Sequence, residues 1–121
     1  MIENDLKENI KEFLKEAKKA EENKSYNSAA TLFFKAIAVI VDLHILRKEG
    51  FIPSNHSQRF RLLEEKYKEI YKIMDKDFTI YQNSYKTRLN KEYVEVLKKD
   101  AEKISGITEI DINLKENQKR T

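Results

Sequence analysis

A chain of 121 residues, 40% hydrophobic and 37% charged, has room for one domain and one core. Two glycines and one proline leave few places for tight turns, which excludes the many-turned β-sandwiches and barrels and favours helices. The chain has no cysteine, which removes disulfides, thiolate metal ligands and cysteine nucleophiles together and leans towards an intracellular, cytoplasmic protein. A net charge of +3, from 24 basic and 21 acidic residues, argues for solubility and does not by itself announce nucleic-acid binding.

The first element is predicted over residues 2–22. Ile2, Leu6, Ile10, Phe13, Leu14, Ala17 and Ala20 recur at three- and four-residue steps, the mark of a helix with one apolar stripe. Its charged residues form the solvated face, and its polar start does not resemble a signal peptide. A break at residues 22–25 follows, with Ser25 or Asn27 placed to cap the next helix.

From Tyr26 to Lys48 apolar residues occur on every side of the helix, so it must be covered on most sides. It is the expected central helix, with one flank left for a dimer contact and Gly50 as its C-terminal cap. The stretch from Ala29 to Leu46 is about as long as a short membrane span, but Lys35, Asp42 and His44 interrupt it and favour a buried core helix.

Residues 51–55 form the clearest loop, and Ser54 is the expected N-cap of a third helix carrying Phe60, Leu63, Tyr67, Ile70, Tyr71 and Met74. Asp75 or Asp77 is expected to cap a fourth, with Phe78, Tyr81, Tyr85 and Leu89. Asn90 then caps a fifth, which carries Tyr93, Val94, Val96, Leu97, Ala101 and Ile104 and ends at Gly106. The domain therefore covers residues 1–106, and residues 107–121 are expected to be a polar, loosely attached tail. The fold class is all-α, an up-and-down bundle of about five helices.

No glycine-rich phosphate loop, zinc spacing or nucleophile elbow is present, so no catalytic residue, metal or cofactor is expected. What remains is a set of polar residues on apolar helices. Lys35 and Asp42 share a face of the second helix. Tyr81, Tyr85 and Arg88 share a face of the expected fourth helix, while His56 and Arg59 open the third. Asp42 can then pair with Arg88 while the tyrosine hydroxyls line the gap. The plainer alternative is an ion pair that fixes how the helices pack. His44 reads as a core histidine. His56, at a loop-to-helix junction, reads as the better functional candidate.

The order Ala17…Ala20, Lys24-Ser25-Tyr26-Asn27-Ser28-Ala29, Phe34-Lys35-Ala36…Asp42…Leu46…Gly50, Ser54-Asn55-His56 and Tyr81…Tyr85…Arg88 resembles the HEPN superfamily over about residues 17–104. That resemblance implies a helical bundle that forms a homodimer. Many members are metal-independent ribonucleases that carry an arginine followed four to six residues later by a histidine. No histidine follows Arg88 here, and Arg59 follows His56 instead of preceding it. The resemblance therefore implies the non-nuclease branch, whose members hold a nucleotide, RNA or a nucleotidyltransferase partner. The expected ligand-binding set is Lys35, Asp42, His56, Arg59, Tyr81, Tyr85 and Arg88. A divergent ribonuclease and a purely structural dimeric protein are the two rival readings.

Overall fold

The computed structural model describes residues 2–113. Over that range the chain forms α1 (Ile2–Glu22), α2 (Tyr26–Glu49), α3 (His56–Lys66), α4 (Lys68–Asn83) and α5 (Lys91–Thr108), with no strand among the described residues. The all-α bundle is the architecture that the scarcity of glycine and proline favours.

α2 is the centre. Phe33, Ile37, Ile40, Val41, Leu43 and Ile45 are completely shielded, as are Ala29, Ala30 and Ala36, whose small side chains let neighbouring helices approach. α1, α4 and α5 all pack on it. It is long and apolar enough to cross a membrane, yet 72% of its most apolar 18-residue window is buried inside the bundle. Most of this apolar window is thus covered within a single chain.

Side-chain bonds at the helix ends fix the directions. Arg47, near the end of α2, grips Glu3 at the start of α1 with two hydrogen bonds of 3.2 and 3.0 Å, so the two helices are antiparallel. The start of α4 meets the end of α2, where the Tyr67 hydroxyl donates to Glu49 at 2.6 Å and the Lys66 ammonium lies 3.0 Å from the same carboxylate. The residue after α4, Ser84, meets Thr31 near the start of α2 at 3.1 Å. α5 then begins beside Asn27, whose Oδ1 accepts from the Leu89 N–H at 2.9 Å. α1, α2, α4 and α5 therefore run up, down, up and down, with α3 as a short arm between the second and third of them.

Several boundaries differ from those expected. The third and fourth helices meet at Tyr67 and not at Asp75 or Asp77, because Tyr67 leaves helical geometry (φ −132°, ψ 64°) while its side chain is held by Glu49. The cap of α3 is Asn55, not Ser54: its side chain accepts from the Gln58 N–H at 2.9 Å, and Gln58 accepts from the Ser54 N–H in return. α5 continues past Gly106 to Thr108 and stops where Glu109 takes left-handed geometry at φ 59°. The Thr108 hydroxyl bonds back to Ile104 and Ile110 is buried, so the start of the expected tail is docked. Residues 114–121 of that tail lie outside the described residues. Gly50 caps α2 at φ 87° as expected.

Asn27 caps nothing. Its amide donates to the carbonyls of Ser84 and Thr87 at 2.8 and 2.7 Å, and with the Leu89 bond it fastens the connection between α4 and α5 onto α2. His44 is a core histidine, edge-on to Tyr67 at 5.4 Å. Burial first, then the charges of Lys48 and Arg47, hold its pKa below the usual histidine range.

Asp77, read from the sequence as a possible cap, is instead fully shielded in the middle of α4, and among the described residues no N–H or hydroxyl group donates to either oxygen. Its polar neighbour is Asp100 of α5, which takes the Lys76 ammonium at 3.0 Å. Two buried carboxyls side by side are stable only with one proton between them. Burial, then the hydrogen bond to Asp100 and its charge, push the Asp77 pKa up to about 9. The unfolded chain gives up this proton near the ordinary value of 3.8. Between those limits the folded state holds the extra proton, so this contribution to stability is lost as pH rises through the window. Asp77→Asn stays neutral and donates to Asp100, and it should become progressively more stable than the wild type from pH 5 to pH 8.5. Urea unfolding at the two pH values checks this, and an unchanged difference between the two chains would refute the shared proton.

Candidate functional site

One face of α2 forms the floor of a surface trough. Lys35, Ala38, Val39 and Asp42 stand at positions i, i+3, i+4 and i+7, so they line up along about 10 Å of helix. Tyr81 of α4 stacks on Phe34 at 4.7 Å to make one wall, and Phe13 of α1 stands among the other lining residues. His56 and Arg59 from the first turn of α3 complete a cavity of about 210 Å³. Exposure falls along the floor, from the exposed Lys35 to Asp42 and Arg59, each only 8% exposed.

The buried end is built on one bidentate pair. Arg59 Nε donates to Asp42 Oδ1 at 2.7 Å and Nη2 donates to Oδ2 at 2.9 Å. A planar guanidinium matched to a carboxylate in this way is the strong form of an ion pair, and here it is shielded from water. Its remaining terminal nitrogen, Nη1, lies 2.6 Å from His56 Nδ1.

That contact sets the state of the imidazole. Guanidinium nitrogens only donate, so Nδ1 must accept, and the ring's one proton sits on Nε2. Burial, and after it the Arg59 charge, hold the His56 pKa below the usual range against the opposing pull of Asp42. The ring also lies among Phe78 at 5.2 Å, Phe34 at 6.1 Å and Tyr81 at 6.2 Å. In this state Nδ1 is occupied and Nε2 already carries hydrogen, so neither nitrogen is a ready general base. His56 is a hydrogen-bond donor with an aromatic face.

Charge in the trough is simple. Asp42 and Arg59 neutralise each other, His56 is neutral, and among the described residues Lys35 makes no ion pair. One exposed ammonium therefore sets the sign of the site.

Five of the seven residues singled out from the sequence converge here: Lys35, Asp42, His56, Arg59 and Tyr81. Tyr85 and Arg88 do not line the cavity. α4 ends at Asn83, so both fall in the connection to α5 and share no helical face with Tyr81. Tyr85 is 72% exposed and reaches back to hydrogen-bond the Tyr81 hydroxyl at 2.9 Å. Arg88 is exposed, and the expected Asp42–Arg88 pair is replaced by Asp42–Arg59. Phe13, Ala38 and Val39 were missed because their spacing is that of ordinary core residues. No family model, curated protein or solved structure matches this chain.

Asp42→Asn should destabilise the fold by about 3–5 kcal/mol, because it leaves the buried Arg59 without a charge partner. The unfolding midpoint in urea measures this. In the wild type, the nitrogen shifts of His56 should report a proton on Nε2 and none on Nδ1 near neutral pH.

Proposed function

We propose that this protein is a non-catalytic binding module, HEPN-like in its helical plan, that holds a phosphate-bearing nucleotide or RNA segment in the trough. The observation that carries this reading is the Lys35 ammonium, which makes no ion pair among the described residues, at the open end of a cavity walled by Tyr81 and closed by a histidine fixed as a donor. An ammonium supplies a point charge for phosphate, an aromatic ring a platform for a base, and an Nε2–H one directional bond.

A divergent ribonuclease is the second reading, favoured by the Arg59–His56 contact at 2.6 Å. RNA cleavage without a metal needs a base for the 2′-hydroxyl and a free cation for the phosphate. Here the arginine is committed to Asp42 and the imidazole lacks a free basic nitrogen, so binding without cleavage is the better fit.

A fluorescent oligouridylate should bind weakly and lose about fivefold in affinity per tenfold rise in salt, as expected for about one phosphate contact. Lys35→Ala should remove most of that salt dependence, and His56→Ala should weaken binding while leaving it salt-sensitive. The same RNA should remain intact on prolonged incubation. Cleavage that His56→Ala abolishes with the helical content unchanged would reverse the order of the two readings.

A further inference from the structure

We infer that the trough selects a single nucleotide unit bearing a terminal phosphate monoester, either free or at the end of an RNA strand, over an internal stretch of chain. This rests on the reading of the trough as a phosphate-ligand site and names the ligand class within it.

Three features of the trough support this. The first is its length. The Lys35–Asp42 floor spans about 10 Å, two helical turns, and encloses about 210 Å³, room for one nucleotide unit but not for successive nucleotides. The second is its blocked end. Asp42 and Arg59 are both 8% exposed and joined by two hydrogen bonds, so a strand entering past Lys35 has no exit beyond them. The third is charge. Among the described residues Lys35 is the lining cation without an ion pair, and a phosphate monoester carries nearly two negative charges at neutral pH where an internal diester carries one.

With the phosphate at Lys35, the rest of the nucleotide lies along Ala38 and Val39 beside Tyr81, with its base towards α3.

Calorimetric titration of the full chain with uridine 5′-monophosphate, uridine, a 5′-phosphorylated hexauridylate and its 5′-hydroxyl counterpart tests this. The monophosphate and the 5′-phosphorylated strand should bind with affinities within about threefold of each other. Uridine and the 5′-hydroxyl strand should bind at least tenfold more weakly. Lys35→Ala, a change at an exposed position, should erase that difference. If the 5′-phosphorylated strand binds and the mononucleotide does not, RNA ends are the source. If the mononucleotide binds and the strand does not, the free nucleotide is. Each of these outcomes supports a terminal phosphate. Equal binding of the two strands would overturn this inference and leave the trough as an RNA site, whereas silence from all four ligands would overturn the trough reading itself.

Discussion

The constraint on which this structure depends is that α2 has no polar side. A helix with apolar residues all round must be enclosed, and α1, α4 and α5 enclose it. Enclosure in turn makes each polar residue that α2 carries into a structural demand. Lys35 meets that demand by standing at the surface, and His44 by staying neutral against Tyr67. Asp42 cannot do either, since it is a carboxylate at 8% exposure. It needs a cation with several donors, and Arg59 supplies one. Meeting that need places α3 and seats its first turn against the floor of α2. The candidate site is therefore a consequence of how one buried charge is satisfied.

The same logic runs differently at Asp77. There the buried carboxyl faces another carboxyl, and the nearby Lys76 is engaged with Asp100. With no free cation at hand among the described residues, a proton is the cheapest counter-charge, and the pair becomes a neutral acid beside an ion pair. Asp42 and Asp77 thus show two solutions to one problem on facing helices. One recruits an arginine and creates a polar site, and the other takes up a proton and remains core.

How much of this was legible in the sequence follows from which signals are local. The limits of α1 and α2 could be read because apolar periodicity and the Gly50 cap act within a few residues. The join between the third and fourth helices could not, because Tyr67 breaks the helix at a point where Glu49, eighteen residues earlier, holds it. Asp77 looked like a cap because aspartate usually is one at the start of a helix, and a buried acid pair across two helices leaves no local trace. Lys35, Asp42, His56, Arg59 and Tyr81 could be picked out because polar residues on apolar faces are conspicuous. Which arginine Asp42 would choose was a question of distance in space. Arg88 lost because α4 stops before it, a fact set by the three bonds Asn27 makes to the connection that follows.

The Asp42–Arg59–His56 chain carries a trade between firmness and reactivity. Each bond that pins the arginine also withdraws its charge from an incoming phosphate, and the bond that fixes the imidazole occupies the nitrogen a base would need. A site meant to stabilise a developing charge keeps such groups free to respond to it. A site meant to present the same face to every ligand locks them. Among the described residues the lining cation left without an ion pair is Lys35, on a flexible stem at the open end, where on the proposed reading it follows a phosphate. The residues with the richest chemistry are the most tightly held, and the freest is the simplest. On the proposed reading, that division is what recognition requires and what catalysis would have to undo.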